Sequence, residues 1–179
     1  MKLQNSLQNN NSATSHTETA PIKTFSYNEK DQLIQVTLKN GNNDPVISQY
    51  YYDLVGNKVR MYTGLSSPLT ITGLDEVTGS DMDYSVTKYD YNHLGNLKTY
   101  IDPMNQSESY DYDFNGNLTT KTDRSNSTMA STYDGFNRLT FKAITDGIKT
   151  STTSINYNKI GLVKEKNVNG YLESFEYTD

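Results

Sequence analysis

A short phrase recurs along this sequence at near-regular spacing, and this recurrence limits the fold more than any other feature. The phrase is a tyrosine, an aspartate or asparagine, two variable residues, a turn-forming residue, an asparagine or arginine, and a leucine. Three consecutive copies begin at Tyr91, Tyr112 and Tyr133, so each step is 21 residues. A period of this size is typical of repeat architectures, in which small units bury surface by stacking on one another.

The phrase occurs six times in full, and its fifth position indicates a tight turn in each copy. The phrase tyrosines are Tyr27, Tyr52, Tyr91, Tyr112, Tyr133 and Tyr157, and a seventh copy begins at Tyr177 and stops at Asp179. The fifth positions are Asp31, Gly56, Gly95, Gly116, Asn137 and Gly161. Glycine enters the left-handed backbone region freely, and asparagine and aspartate do so at modest cost. We therefore expect each phrase to reverse the chain between two β-strands.

The residues on either side of each turn alternate as half-buried strands do. The positions on the same face as the phrase tyrosine are mostly aromatic or apolar, and those between them are mostly polar. After the third turn, Leu97, Thr99 and Ile101 repeat this alternation. The second copy carries Lys58 where leucine is usual, which predicts a bulge or a sheet edge there. Because Asp31 also departs from glycine, we expect the first hairpins to pair less regularly.

The remaining segments complete the predicted organisation. Turn-forming residues also connect one copy to the next, at 40–45, 102–106, 123–127, 145–147 and 167–170. No stretch requires a helix, so the predicted fold is all-β, a tandem array of antiparallel hairpins over 23–179. Residues 1–22 are rich in Asn, Ser and Thr and predict a flexible tail. The long third step contains an insert at about 65–82, interpreted as a hairpin or loop on the rim, and more readily as a tolerated loop than as a binding surface.

Composition excludes several classes of function. The net charge is −5 and the isoelectric point is near 5.0, which argues against nucleic-acid or anionic-membrane surfaces. The chain has no cysteine and no apolar run long enough to span a membrane. Residues 1–20 lack the apolar region of a signal peptide.

No catalytic, cofactor or metal site is predicted, although some residues resemble one. Asp111, Asp113, Asn115 and Gly116 begin an EF-hand-like pattern, but Thr122 stands where a bidentate glutamate is required. His93 is interpreted as an exposed loop residue. The aspartates at the second phrase position, Asp53, Asp113 and Asp134, are interpreted as turn caps rather than catalytic acids. The many tyrosines favour packing within a sheet over stacking on sugars.

The phrases YDYNHLGNL, YDFNGNL and YDGFNRL resemble the YD repeats of the RHS/YD-repeat family, over about residues 25–179. That family includes bacterial RHS toxins, wall-associated proteins, the C component of toxin complexes, and teneurins. The resemblance implies hairpins joined into one curved sheet that is part of a spiral shell, with no catalytic role for the repeat residues. It also implies secretion or a cell-surface location, and partners consisting of other repeats and a C-terminal effector segment of a longer chain.

The sequence therefore predicts a non-enzymatic structural segment, part of the wall of a β-shell that encapsulates or displays a toxin or effector. The alternative is a cell-surface adhesion or carbohydrate-binding module built on the same repeats, with glycans as partners. A third and weaker hypothesis is a β-propeller-like or β-helical hydrolase whose acids, Asp75, Glu76 or Asp81, lie in the insert.

Overall fold

The computed structural model describes residues 20–73, 76–78 and 84–177, so most of the predicted tail and part of the insert lie outside it. The described residues form fifteen strands and no helix. The strands are β1 Ile22–Tyr27, β2 Leu33–Lys39, β3 Val46–Tyr52, β4 Lys58–Leu65, β5 Thr70–Gly73, β6 Glu76–Thr78, β7 Ser85–Tyr91, β8 Leu97–Ile101, β9 Ser107–Tyr112, β10 Leu118–Thr122, β11 Thr128–Tyr133, β12 Leu139–Thr145, β13 Thr150–Tyr157, β14 Val163–Val168 and β15 Tyr171–Ser174.

Thirteen of these strands form one antiparallel sheet in strict chain order, from β1 at one edge to β15 at the other. The sheet is open and curved. Strands β5 and β6 pair separately as a short hairpin, so β4 is hydrogen-bonded directly to β7. The predicted all-β array of tandem hairpins is confirmed. In such a meander the six phrase turns all lie on one side, called here the phrase rim. The connecting turns lie on the opposite side, the return rim.

Every phrase hairpin contains a β-bulge next to its turn. In the second hairpin Tyr52 pairs with Lys58 and Tyr51 pairs with Arg60, so the residue between Lys58 and Arg60 is skipped. The same shift occurs beside the other five phrase tyrosines. The bulge expected in the second copy is therefore present, but all six copies share it, and β4 is an inner strand rather than a sheet edge. The five-residue turn leaves the two strands one residue out of step, and the bulge absorbs that residue.

The first two hairpins differ from each other in regularity. Strands β1 and β2 pair from Ile22 to Tyr27 with only the bulge common to all copies. Strands β3 and β4 have a second register shift, between Ile47 and Ser48. The expected irregularity therefore occurs in the second hairpin only. Lys58, which stands where leucine is usual, lies over the rings of Tyr89 and Tyr50, with its ammonium 4.8 and 5.8 Å from their centroids.

The two faces of the sheet carry different side chains. One face, the tyrosine face, bears the phrase tyrosines and cross-strand pairs such as Tyr89 and Tyr100, whose ring centroids are 5.5 Å apart. The other, the Ser/Thr face, bears directly paired small residues along its second half. These pairs are Thr99 with Ser109, Thr122 with Thr128, Thr120 with Ala130, and Ala143 with Thr152. The predicted period of two is thus present, with mostly polar residues on the face opposite the tyrosines.

The only cluster of buried apolar residues in the described part of the chain lies under the start of the insert. Ile47, Tyr62, Leu65 and Leu69 are at most 6% exposed and pack together on the Ser/Thr face of β3 and β4. The Leu69 amide donates a hydrogen bond to Gln49 Oε1 at 2.7 Å. The insert does form a hairpin, β5–β6, but residues 65–69 fold over the sheet rather than lying on its rim.

Candidate functional surfaces

The phrase tyrosine attaches each hairpin to the one before it. Its hydroxyl donates a hydrogen bond to the carbonyl of the residue that pairs with the preceding phrase tyrosine, next to the bulge. These bonds join Tyr52 to Leu33 at 2.9 Å, Tyr91 to Lys58 at 3.1 Å, Tyr133 to Leu118 at 3.0 Å, Tyr157 to Leu139 at 2.9 Å and Tyr177 to Val163 at 2.8 Å. The bond gives a partner to a carbonyl beside each bulge, where the ladder is disrupted.

Tyr112 is the exception to this pattern. Its hydroxyl has no hydrogen-bond partner among the residues that the structure describes, although it occupies the same repeat position. Burial of the side chain raises the pKa of Tyr112. Sequence reasoning identified the tyrosines but missed this bond. The sequence does indicate that the hydroxyl is needed, because this position is tyrosine in all copies and never phenylalanine, which has the same ring without the hydroxyl.

The second phrase position caps every phrase turn. In all six copies the side-chain oxygen Oδ1 accepts hydrogen bonds from the backbone N–H groups two and four residues later, at 2.8–3.1 Å. The capping residues are Asn28, Asp53, Asn92, Asp113, Asp134 and Asn158. The predicted capping role of the aspartates is confirmed. The return turns predicted at 102–106 and 123–127 are capped in the same way, by Asp102 and Asp123, a role that sequence reasoning did not assign to these two residues.

These hydrogen bonds hold the capping carboxylates in their charged form. The Asn117 side-chain amide, 2.9 Å from Asp113 Oδ2, lowers the pKa of Asp113, with backbone donors adding to the effect. The Arg138 side chain likewise lowers the pKa of Asp134. Because both oxygens of Asp113 already accept hydrogen bonds from its own turn, the carboxylate is poorly disposed to bind calcium as in an EF-hand.

The fifth phrase positions have left-handed backbone in all six copies. Their φ values are 58° at Asp31, 102° at Gly56, 81° at Gly95, 84° at Gly116, 62° at Asn137 and 91° at Gly161. The structure thus places each singled-out turn residue at the point of chain reversal. The structural role of these residues and of the phrase tyrosines remains a prediction, to be tested by the substitutions described below.

Neighbouring turns also contact each other along the phrase rim. The sixth-position side chain of one copy reaches the turn of the next copy. Gln32 Nε2 donates to the carbonyl of Gly56 at 3.3 Å, and Asn117 Nδ2 donates to Asn137 Oδ1 at 2.8 Å. The Arg138 guanidinium lies 4.3 Å from the centroid of the Tyr157 ring in the following copy. The rim is therefore connected from turn to turn as well as through the strands.

A charged cluster on the tyrosine face links strands β9 and β10 to the return turns on either side of them. Glu108 accepts hydrogen bonds from Tyr110 Oη at 2.6 Å, Lys121 Nζ at 2.9 Å and Arg124 Nε at 2.9 Å. Arg124 also lies 3.2 Å from Asp102, a buried side chain. The Tyr110 hydroxyl and then Lys121 lower the pKa of Glu108. With its charge balanced and its oxygens occupied, Glu108 is placed to hold strands together rather than to transfer a proton.

One open cavity of about 680 Å³ lies between the first two hairpins. Its lining includes the Gln35 amide and the rings of Tyr50 and Tyr51, together with Gln49, whose buried amide already bonds Gln35 and the Leu69 N–H. Rings and amides of this kind can stack on and hydrogen-bond to polar ligands. The cavity is open to solvent, and its lining also includes the charged residues Glu29, Lys30 and Asp53.

The other residues singled out in the sequence do not form a site in the described ranges. His93 is exposed in its turn, as predicted. Within those ranges, no three histidine or acidic side chains are grouped closely enough to hold a metal ion. Asp75 and Asp81, the acids of the hydrolase hypothesis, lie outside the described residues, and Glu76 lies in β6. The described part of the chain has no helix with the length and apolar character of a membrane span.

The fold and the repeated turn together define a tandem β-hairpin repeat protein. Residues 91–128, which include the third and fourth phrases, match the family model for the RHS repeat. This part of the chain is thus an RHS repeat, which confirms the resemblance noted from the phrases. No curated protein matches the chain.

Solved structures of toxin complexes are among those to which the chain shows some likeness. One is the Tc holotoxin pore of Photorhabdus luminescens, with 12% identity, a TM-score of 0.34, and coverage of 84% of this chain and 10% of that chain. Another is TcdB2-TccC3, with 13% identity, a TM-score of 0.31, and coverage of 84% and 11%. This chain thus spans about a tenth of the length of each. At these TM-scores the likeness is loose, and the assignment to RHS repeats rests on the matched residues.

Proposed function

We propose that this chain is a non-enzymatic wall segment of an RHS-type protein that is secreted or displayed at the cell surface. In this proposal its sheet forms part of a shell that encloses or displays an effector carried by the C-terminal part of a longer chain. The observation that carries the proposal is the chain of tyrosine hydroxyl bonds, which attaches one hairpin to the next in five of the six steps.

The way the sheet is stabilised supports a role as a barrier. Most side chains are only partly buried, and the apolar cluster around Leu65 is confined to the insert region. Stability must then come largely from interactions between successive units, as in other repeat arrays. Backbone ladders join all successive units, tyrosine hydroxyl bonds join them in five of six steps, and turn-to-turn contacts add to several of these steps. Such a sheet can be lengthened by adding units, which is what a wall requires.

The positions of the acidic residues support a non-enzymatic role. Asp53, Asp113 and Asp134 hold turns, and Glu108 is neutralised by Lys121 and Arg124. Hydrolytic sites need carboxylates that are free to act as acid, base or nucleophile toward a shared substrate. The acids described here are used within the protein itself.

The test is protease protection in the native gene product that contains this chain. We expect the segment that follows the repeats to resist limited proteolysis in the intact protein. We expect it to become sensitive when Tyr133→Phe and Tyr157→Phe weaken the wall, but not when Tyr112→Phe removes a hydroxyl that has no partner. A following segment that is cleaved equally fast in the intact protein and in all variants would contradict encapsulation.

The same digestion tests the proposed domain organisation. If 23–179 is one array with a tail at 1–22 and an insert at 65–82, the first cleavages should fall in the tail or the insert, because strands paired on both sides resist proteases. Early cleavage within β8–β13 would contradict this division.

A carbohydrate-binding function is the second candidate, favoured by the cavity lined by Gln35, Gln49, Tyr50 and Tyr51. We expect any binding on a glycan array to be lost in Tyr50→Ala. It should be retained in Tyr171→Ala, which removes an exposed tyrosine far along the sheet at β15. Binding that survives both changes would exclude this cavity as the site.

A further inference from the structure

The phrase rim carries a row of exposed apolar side chains at its turn tips. One or both of the two variable phrase positions hold a large apolar residue in five successive hairpins. Their exposed fractions are 94% for Leu54, 84% for Val55, 56% for Leu94, 104% for Phe114, 82% for Phe136 and 78% for Ile160. Single exposed apolar residues need no explanation, but an aligned row of them marks an interaction surface.

The return rim and the first phrase turn differ from this row. On the return rim the strongly exposed apolar residues at described turn tips are Met104 and Ile148, and the intervening turn carries the charged Arg124. The first phrase turn has Glu29 and Lys30 at its variable positions, followed by Asp31. The apolar row therefore belongs to the phrase rim and is bounded at one end by charge.

The geometry of the sheet sets the spacing of the row. Each turn tip is two strands from the next, about 9.5 Å, so the five apolar tips extend over about 38 Å. The carboxylates of Asp53, Asp113 and Asp134 bond to the backbone of their own turns as caps, so they are not presented at the tips of the row. A partner that contacts every turn tip in the same way must repeat with the same spacing of about 9.5 Å.

A second copy of this chain has that period and also matches the row in charge. If two copies meet rim to rim about a two-fold axis, the first hairpin faces the sixth. Glu29 and Asp31 of one copy then lie near the exposed Lys159 of the other copy. The Lys30 ammonium does not oppose this pairing, because it donates a hydrogen bond to the carbonyl of Leu54 in its own chain at 3.3 Å. The second hairpin faces the fifth and the third faces the fourth, so apolar tips meet apolar tips.

We propose that the phrase rim is a self-association interface, on which the phrase rim of a second copy docks in an antiparallel, two-fold arrangement. The apolar tips of the second to fifth hairpins meet those of the other copy, and the acidic first turn of each copy pairs with Lys159 of the other. The tips of both copies together would bury on the order of 1,000–1,500 Å², close to the area of a standard specific interface. A two-fold interface of this kind closes on itself and forms a dimer rather than a fibre.

Sedimentation equilibrium of the full 179-residue chain tests the proposal. We expect a dimer whose dissociation constant rises at least tenfold in Phe114→Ser and in Phe136→Ser. The matched controls, Met104→Ser and Ile148→Ser, remove equally exposed apolar residues from the return rim and should leave the constant unchanged. All four positions are exposed, so circular dichroism should show the same folded spectrum for each variant.

A charge exchange tests the antiparallel arrangement itself. Lys159→Glu should weaken the dimer by placing like charges together, and adding Glu29→Lys to it should restore most of the affinity. Failure of this rescue would overturn the two-fold pairing.

Three other results would overturn the proposal as a whole. One is a monomer at about 100 μM. The second is association that persists in the phrase-rim variants, which would assign it to the open strands β1 and β15. The third is a chain that stays monomeric but binds phosphatidylcholine vesicles through Phe114, which would assign the row to a lipid surface. None of these results depends on whether the protein encloses an effector.

Discussion

Replacing Tyr133 by phenylalanine isolates the bond that attaches one hairpin to the next. The substitution removes only the hydroxyl, whose oxygen lies 3.0 Å from the carbonyl of Leu118 in the preceding hairpin. The aromatic ring, its apolar surface and the strand register are left unchanged. Any loss of stability therefore reports on the hydrogen bond and on the carbonyl that loses its partner.

The expected loss is about 1 kcal/mol. A hydrogen bond between neutral groups contributes a net 0.5–1.5 kcal/mol or so to stability. Both Tyr133 and Leu118 are partly exposed, so water can partly replace the lost hydroxyl and keeps the loss from reaching the higher values. With a urea dependence of about 2 kcal/mol/M, this loss lowers the unfolding midpoint by about 0.5 M.

Tyr112→Phe is the matched control, since the same repeat position is changed in the adjacent hairpin. The Tyr112 hydroxyl has no partner among the described residues, and burial of the side chain raises its pKa. Its removal should leave stability within a few tenths of a kcal/mol of the parent protein. Urea unfolding followed by circular dichroism measures both variants, and hydrogen exchange of the β11 and β12 amides shows whether the loss is local.

The reasoning is refuted if the two variants lose the same amount of stability. Equal losses of about 1 kcal/mol would mean that the tyrosine position matters for a reason other than its bond to the preceding hairpin. Equal losses near zero would mean that water replaces the hydroxyl at no cost, and that the hairpins are held together by their backbone ladders alone.

Three further predictions concern the turns and the insert. Gly116→Ala should destabilise the protein by about 1 kcal/mol, because the φ of Gly116 is 84° and a new methyl group would make no close contact there. Gly135→Ala, at a position without positive φ, should be neutral or slightly stabilising. Equal melting temperatures of the two variants would contradict the turn geometry. The pKa of Asp113 is lowered in the folded protein, so its carboxylate stabilises the fold at any pH above the ordinary pKa of 3.8. The urea midpoint should therefore fall as the pH drops below about 4. The fall should be smaller in Asp113→Asn, which keeps a capping oxygen but has no charge to lose. Leu69→Ala should expose the apolar cluster and lower the free energy of unfolding by about 2–3 kcal/mol, measured from the unfolding midpoint. Leu54→Ala, at an exposed turn tip, should leave the unfolding midpoint unchanged.

Local sequence was sufficient to locate the hairpins, because each turn is built within a single phrase. The capping oxygen of Asp113 and the left-handed backbone of Gly116 lie within the same seven residues. Such interactions do not depend on distant parts of the chain, so composition at fixed offsets is enough to predict them. The alternation of side chains between two faces follows in the same way from the two-residue period of a strand.

The bulges and the ion pairs could not be predicted from local sequence, because they depend on how the strands pair in the structure. A bulge is a relation between two strands, and the one beside Tyr52 was suspected only because Lys58 replaced leucine there. The same geometry in the other copies carries no unusual residue. The cluster of Glu108, Lys121 and Arg124 joins residues 13 and 16 positions apart, which no local pattern in the sequence connects.

The sequence by itself determined that this protein is a series of hairpins, since every turn contains its own backbone and capping requirements. Only the tertiary structure decided how consecutive hairpins are attached, because the tyrosine hydroxyl of one unit bonds a carbonyl exposed by the bulge of another. It also decided that Leu69 covers the sheet, since Leu69 is buried by contacts with Ile47 and Tyr62, residues that approach it only after β3 and β4 have paired.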